Sequence, residues 1–256
     1  MLYIQKDHPD LDVPKTLNRI QKALQAELKP LGFTKHGRTH HRFVDGDISQ
    51  VINFQCGQSI YDRTHEVMVK VSIRIPEVDL REFHGDTELK KYYKNYECNL
   101  RTSLGLLSEP VTVFSGFSMQ KQVVYDLSGN VDEITEDILR RVKTEVLPFF
   151  ERYGSRDAIL KDLQEQPKSP MRTSGYEHEG DFAMAMIYGR RGDMERAYEA
   201  YNAYFRGAVK RAIRWYDEKR SKGWARSYIE DAEKRGIPIT EENMALAIDF
   251  LEGRIG

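Results

Sequence analysis

Cysteine is nearly absent from this sequence: Cys56 and Cys98 are the only two in a chain of 256 residues. A secreted scaffold held together by disulfides needs more cysteines, so this class of protein is excluded. No Cys-x-x-Cys pair is present, and we therefore predict no bound metal. So little cysteine is typical of proteins that fold in a reducing compartment.

Long apolar stretches and an excess of charge of one sign are also missing. No segment approaches the roughly 20 apolar residues of a membrane span, and the opening residues lack the apolar core of a secretion signal. Basic residues number 39 and acidic residues 40, so no general attraction to nucleic acid or to a lipid surface follows. We expect a cytoplasmic protein that binds no membrane and that contacts nucleic acid only if a local patch exists.

The signatures of the commonest cofactor-dependent enzymes are missing as well. The sequence has no phosphate loop, no dinucleotide-binding fingerprint, no Gly-x-Ser-x-Gly elbow and no His-Glu-x-x-His motif. We therefore predict no cofactor, and a role other than catalysis is favoured.

What is present is a clear pattern of secondary structure. Apolar residues at three- and four-residue spacing predict a helix from Pro14 to Leu31, with Gly32 ending it. Between Val67 and Ile75, aliphatic residues alternate with polar ones, which predicts an antiparallel strand with one buried and one wet face. Further elements are predicted as strands at 38–43, 50–56, 111–117 and 121–125, and as helices at 87–107, 131–154, 155–163, 177–190, 194–221, 224–235 and 241–252.

The order of these elements predicts an α+β fold. We expect an antiparallel sheet of about five strands, covered on one face by helices 14–31 and 131–154, with an all-helical C-terminal extension. Residues 166–175 are rich in proline and small polar residues, as in a linker. The predicted domains are therefore an α+β domain at 1–165 and a helical extension at 176–256.

Two sets of polar residues on the predicted strands are candidates for a ligand site. Arg38, His40 and Arg42 would project from one strand face, where they could bind a phosphate or a carboxylate. An exposed face or a charge-protected edge explains the same row. Asn53 and Gln55 would share a face of the next strand, where they could orient a ligand or simply bond across strands.

Two further segments carry residues of chemical interest. Cys98 could act as a nucleophile if a base lowered its pKa, although a small buried residue is the simpler interpretation; nearby Arg101 could add charge to the strand site. The segment 206–226 is basic and carries interleaved aromatic residues, as in proteins that bind single strands. A solvated helix with its aromatic residues in the core would show the same pattern.

Four short motifs are distinctive: Leu28–Phe33 followed by Arg38, Val51–Gln55, Glu97–Arg101 and Val146–Phe150. Together they resemble a bacterial family of domains of unknown function, DUF4304, and the first motif resembles the opening of that family. The resemblance spans about residues 14–163. It implies a fold and a bacterial cytoplasmic setting, but no reaction.

Two functional hypotheses remain open. The leading one is a non-enzymatic protein-interaction module, of the immunity or accessory type, whose partner is a protein. The alternative is a phosphate-directed enzyme or a nucleic-acid-binding protein that uses the basic strand face, with Arg101 or the 206–226 segment adding charge. A concave pocket that gathers the candidate residues would favour a ligand site, and a convex surface would count against it.

Overall fold

The computed structural model describes residues 11–58, 64–78, 90–98, 100–107, 123–165, 179–215 and 217–255. These residues fall into two compact units. Those within Met1–Pro76 and Glu88–Ile159 form the first, here called the sheet unit, and those within Glu77–Thr87 and Leu160–Gly256 form the second, the helical unit. The predicted limits 1–165 and 176–256 stay a prediction, because the proposed linker lies outside the described residues.

The described residues contain six strands and a series of helices. The strands are β1 (Thr34–His36), β2 (Thr39–Val44), β3 (Ile48–Gln58), β4 (His65–Arg74), β5 (Leu100–Ser103) and β6 (Val124–Asp126). The α-helices are α1 (Val13–Leu28), α2 (Val131–Arg141), α3 (Leu147–Arg152), α4 (Arg156–Glu165), α5 (Glu179–Arg190), α6 (Met194–Ile213), α7 (Glu218–Arg235) and α8 (Glu241–Leu251). A 3₁₀ turn, Lys29–Leu31, extends α1, and a π-helical turn, Val142–Val146, joins α2 to α3.

The sheet is antiparallel and runs in the order β1-β2-β3-β4-β5, with β6 pairing to β4 beside β5. His40 lies opposite Ile52, and Ile52 lies opposite Val71. Since directly opposed residues share a face of the sheet, these three belong to what we call the core face. The alternating aliphatic residues from Val67 to Ile75 are also on it and are 0% exposed, which confirms the predicted inward alternation.

Two helices contact the core face. Gln25 of α1 is bonded to His40, and Gln50 of β3 donates to the carbonyl of Phe150 in α3 over 2.7 Å. The side chain of Asp12 accepts a hydrogen bond from the amide of Lys15 and so begins α1. The prediction of an α+β fold with helices on one sheet face and a helical C-terminal part is confirmed, with six strands in place of about five.

The predicted helix at 87–107 is wrong for the residues that the structure describes there. Asn95–Glu97 form only a 3₁₀ turn, and Leu100–Ser103 form β5, in which Ser72 of β4 lies opposite Arg101. The three- and four-residue spacing of aromatic and aliphatic residues suggested a helix, but pairing to the free edge of β4 satisfies the backbone of 100–103 instead. The predicted strand at 111–117 lies outside the described residues, whereas the strand at 121–125 is present in part as β6.

Within the helical unit, the predicted helix 194–221 ends early, at Ile213. The side chain of Asp217 accepts a hydrogen bond from the amide of Arg220 and starts α7 at Glu218 rather than at 224. The side chain of Asp193 accepts a hydrogen bond from the amide of Arg196 and caps α6. None of the helices in the described ranges combines the length and the hydropathy that a bilayer-crossing segment requires.

Candidate functional site

The outer face of the sheet, opposite the core face, carries a groove with a volume of about 420 Å³. Thr39, Asn53 and Gln55 reach this groove because they alternate along β2 and β3 with residues of the core face. Nine residues line the groove: His36, Arg38, Thr39, Asn53, Gln55, Tyr92, Lys94, Asn95 and Tyr96.

A tight turn between β1 and β2 places Arg38 on one wall of the groove. Gly37 enters this turn with a φ of 57°, a conformation that glycine adopts without strain. The carbonyl of Arg38 accepts a hydrogen bond from the amide of Phe54 over 3.0 Å, and Asn53 Nδ2 donates to Thr39 Oγ1 over 2.9 Å. The backbone of the turn is therefore fixed, while the guanidinium of Arg38 is exposed.

The opposite wall comes from the segment around the 3₁₀ turn Asn95–Glu97. The ring of Tyr92 stacks on the ring of His36, with centroids 3.8 Å apart and planes inclined by 29°. The carboxylate of Glu97 accepts hydrogen bonds from the amide of Lys94 over 2.8 Å and from Lys90 Nζ over 2.6 Å. These contacts hold the wall in place against the sheet.

Positive charge and aromatic rings meet in the groove. Lys94 is exposed, and its Nζ lies 5.6 Å from the ring centroid of Tyr96, which is itself 67% exposed. The hydrogen bond from Lys94 to the Tyr96 phenol raises the pKa of the Lys94 ammonium. Arg38 adds a second cation, and none of the nine lining residues is acidic. The groove is therefore suited to an anionic ligand.

The predicted row of Arg38, His40 and Arg42 does not form. Arg38 lies in the turn before β2, whereas His40 and Arg42 lie on the core face, beneath α1. A period of two correctly placed His40 and Arg42 on the same face, but it could not tell which face the helix covers. Neither side chain reaches the groove.

Arg42 is built into the packing between the sheet and the end of α1. Its Nη1 donates to the carbonyl of Leu31 over 2.9 Å, and its Nε donates to Gln50 Oε1 over 2.8 Å. The guanidinium also lies over the ring of Phe33, at 4.6 Å from the centroid. Because burial removes water from this cation, the pKa of Arg42 is lowered.

His40 is fully buried, and its hydrogen bond defines its tautomer. Gln25 Nε2 donates to the carbonyl of Phe33 over 3.1 Å, so Gln25 Oε1 is the atom that faces His40 Nδ1 at 2.8 Å. His40 Nδ1 must therefore be the donor and carry the proton. Burial, followed by the charges of Lys35 and His41, lowers the pKa of His40 to about 4.

Arg101 is exposed on β5, which β4 separates from the groove strand β3. It faces the same side of the sheet as Asn53 but does not line the groove. Of the predicted site residues, the structure thus brings together Arg38, Asn53 and Gln55 and leaves the others elsewhere. Their role in binding stays a prediction.

The sequence interpretation missed most of the aromatic and basic residues of the groove. His36, Tyr92, Lys94 and Tyr96 were not singled out, although the run Lys90–Glu97 is visibly rich in tyrosine and lysine. The spacing of the run predicts a helix, in which its side chains would point in several directions. Only the contact between this run and the β1–β2 hairpin shows that its side chains converge.

Cys98 is buried and bonded through its Sγ to the carbonyl of Lys94. Burial is the main cause that raises the pKa of its thiol to about 11. At neutral pH the thiol is protonated, and this is the opposite of what a nucleophilic cysteine needs. Among the described residues, moreover, no three His, Cys, Asp or Glu side chains come together as metal ligands.

We expect native Cys98 to react slowly with thiol reagents. In a Cys56→Ser variant, alkylation by iodoacetamide near pH 8 should proceed about a hundredfold more slowly in the folded protein than in urea, because so little thiolate is present. Mass spectrometry of the modified fraction over time measures the rate. The matched Cys98→Ser variant, which keeps the half-buried Cys56, should react faster than Cys56→Ser. Equal rates would contradict the assignment of Cys98 as buried and protonated.

A family model described as a domain of unknown function (DUF4304) matches residues 24–152, just over half of the chain. The chain belongs to the DUF4304 family. The resemblance inferred from the short motifs is thereby confirmed, over a somewhat narrower range. Comparison with curated proteins and with solved structures finds no match.

The range that matches the DUF4304 family contains every residue that lines the groove. It begins within α1 and ends with α3, so the helices that cover the core face belong to it in whole or in part. Of the helical unit, Leu160–Gly256 lies outside the matched range and Glu77–Thr87 lies inside it. The groove is therefore a feature of the DUF4304 domain, whose family description names no activity.

Proposed function

We propose that the DUF4304 domain of this chain is a non-enzymatic protein-interaction module and that its groove binds an acidic segment of a partner protein. One observation carries the proposal: two cations, Arg38 and Lys94, converge with exposed aromatic and amide groups on a groove whose lining contains no acidic residue. Carboxylates of a partner would pair with the two cations. Selectivity for an acidic partner follows from this charge complementarity.

The remaining groups of the groove suit a peptide. Gln55 is exposed, so its amide can both donate to and accept from a peptide backbone. Tyr96, at 67% exposure, offers an amphipathic surface of the kind that is enriched at protein interfaces. Tyr92 is held in place by its stacking on His36, which lowers the entropy cost of binding.

The burial and the shifted pKa values of the residues that could act in catalysis support a binding function rather than an enzymatic one. His40 is buried with a lowered pKa, and the thiol of Cys98 is buried with a raised pKa. Both residues are built into the interior on which the groove rests, and neither is available to a ligand. The proposed setting is the bacterial cytoplasm, which the family resemblance suggests and with which two free cysteine thiols agree.

Charge reversal in the groove should weaken the binding of an acidic peptide. We expect a labelled oligo-glutamate peptide to bind in fluorescence anisotropy at low salt, and Arg38→Glu and Lys94→Glu each to weaken binding about tenfold or more, because attraction becomes repulsion. A labelled oligo-glutamine peptide of the same length should bind much more weakly. Raising the salt concentration should reduce the affinity for oligo-glutamate.

Arg101→Glu is the matched control for this experiment. Arg101 is an exposed arginine on the same face of the sheet but outside the groove, so its reversal should change the affinity by about twofold at most. If Arg101→Glu weakened binding as much as Arg38→Glu, the attraction would be general and the groove would not be the site. Equal affinity for the glutamate and glutamine peptides would also contradict the proposal.

A further inference from the structure

The basic and aromatic segment 206–226 divides into two parts in the folded helical unit. Tyr204 and Phe205, the aromatic residues that directly precede the segment, pack in the core between the helices. Arg206 forms an ion pair with Glu242, and Lys222 forms one with Glu218 over 2.8 Å. Both cations are paired with acids, although Arg206 is also exposed. The remainder comprises the two tryptophans and the cations that adjoin them in the sequence.

The remainder lies where α6 ends and α7 begins. The rings of Trp215 and Trp224 contact each other there, with centroids 5.3 Å apart and planes inclined by 58°. Trp215 is 39% exposed, and the guanidinium of Arg220 lies 5.6 Å from the centroid of the Trp224 ring. We call the set Arg214, Trp215, Lys219, Arg220 and Trp224 the tryptophan corner.

The cations of the corner are exposed, and the two acids between them, Asp217 and Glu218, are exposed too but each has a bonding partner. Arg214, Lys219 and Arg220 are all exposed. Asp217 accepts a hydrogen bond from the Arg220 amide as the cap of α7, and Glu218 pairs with Lys222. Trp215 and the three exposed cations thus lie within seven positions of the chain, and the Arg220 guanidinium lies over the ring that contacts Trp215.

We propose that the tryptophan corner binds single-stranded nucleic acid. A base would stack on the exposed face of Trp215, and the adjoining phosphates would pair with Arg214, Lys219 and Arg220. A single strand is required because the bases of a duplex are stacked on each other and cannot reach an indole ring. The corner belongs to the helical unit and lies outside the residues that match the family, so this inference is independent of the proposed function of the groove.

The corner carries its own reporter, because Trp215 and Trp224 are the only two tryptophans in the chain. Titration of the full chain with an oligo-thymidylate at low salt should quench the tryptophan emission in a saturable manner, since a stacked base contacts the indole directly. Three phosphate contacts predict that the logarithm of the association constant falls with the logarithm of salt concentration with a slope of about 2. Duplex DNA of the same length should quench much less.

Single substitutions distinguish the contribution of base stacking to the affinity from the contribution of the cations. Trp215→Ala should weaken binding about tenfold, measured by the anisotropy of a labelled oligo-thymidylate. Arg220→Ala leaves both tryptophans in place, and it should lower the salt slope by about 0.7. Arg226→Ala is the matched control, because Arg226 is an exposed arginine of the same helix outside the corner, and it should change neither quantity. Circular dichroism of each variant verifies that the helices are retained.

The proposal is overturned if oligo-thymidylate leaves the tryptophan emission unchanged at low salt. It is also overturned if an oligo-glutamate peptide quenches as strongly, because the corner would then recognise an acidic protein rather than a nucleic acid. An equal loss in Arg226→Ala and Arg220→Ala would show non-specific attraction and would count against the site in the same way.

Discussion

Replacing Arg156 by methionine is expected to lower the free energy of unfolding of the sheet unit by about 2–3 kcal/mol. Arg156 begins α4, and its guanidinium connects this helix to the turn between β2 and β3. Nη1 donates to the carbonyl of Asp45 over 2.8 Å, and Nη2 pairs with the carboxylate of Asp47 over 2.5 Å. The amide of Arg156 also donates to the Asp45 carboxylate over 2.9 Å.

The size of this effect follows from burial. The side chain of Arg156 is only 10% exposed, whereas those of Asp45 and Asp47 are 38% and 21% exposed. Removing the partner of a buried ion pair typically costs about 3–5 kcal/mol, because the remaining charges lose their compensation. Water already reaches the two carboxylates here, so the expected loss is at or below the lower end of that range.

Arg19→Met is the matched control for Arg156→Met. Arg19 also pairs with an aspartate, Asp132, but both side chains are more than half exposed, so its loss should cost less than about 0.5 kcal/mol. Urea unfolding followed by circular dichroism measures both variants. Adding Asp47→Asn to Arg156→Met should recover part of the loss, since one uncompensated carboxylate disappears. Equal costs for the two arginines would contradict the structural role given to Arg156.

Acid is expected to destabilise the sheet unit through His40, by about 3 kcal/mol between pH 6.5 and pH 4. In the folded protein the pKa of His40 is lowered to about 4, chiefly by burial. Its second ring nitrogen, Nε2, is buried without a hydrogen-bond partner. A proton added there would place an unsolvated charge in the core.

The sign of the effect follows from proton uptake. Between pH 6.5 and pH 4 the unfolded chain binds a proton at His40 that the folded chain does not bind, so the free energy of unfolding falls as the pH falls. The contribution of the neutral His40 is complete above pH 6.5 and is lost as the pH decreases toward the folded pKa of about 4. Burial also lowers the pKa of His41, which adds a contribution of the same sign.

His40→Gln removes the titrating group and should flatten this dependence. Urea midpoints measured across the window from pH 7 to pH 4 should change less in the variant than in the parent chain, even if the variant is less stable throughout. Gln55→Asn, at an exposed position of the groove, changes no titrating group, so it is the control and should keep the parental slope. An unchanged slope in His40→Gln would show that other groups cause the acid sensitivity.

The regular elements of the sheet unit could be predicted because each is specified by its own residues. The stripe of α1 and the aliphatic alternation from Val67 to Ile75 each specify a buried face. The opposite face of β4 is not wet as the alternation predicts, because Ser72 and Arg74 are buried there. The prediction of a helix around Tyr92–Leu104 was wrong because the spacing of apolar residues there is compatible both with a helix and with a strand. The choice depended on the free edge of β4, which lies far away in the sequence.

Predicting the residues of the groove also requires contacts between segments that are distant in the sequence. Arg38, Asn53 and Gln55 could be named as candidates because polar residues on short strands are conspicuous, but His40 and Arg42 were equally conspicuous and belong to the core. The sequence pattern is the same for a polar residue that faces solvent and for a buried polar residue whose hydrogen bonds are made within the protein. Only the bonds of His40 to Gln25 and of Arg42 to Leu31 distinguish the two cases.

The amino-acid sequence by itself determined α1, β4 and the C-terminal helices, the buried stripe of α1 and of β4, and the membership of the family, since these depend on short-range periodicity and local motifs. Tertiary structure alone decided which face of β2 the first helix covers, where the chain between Tyr92 and Tyr96 lies, and which cations remain exposed. The reason is physical. Whether a polar side chain is paired, covered or exposed depends on contacts with a part of the chain that is distant in sequence, and no local pattern specifies those contacts.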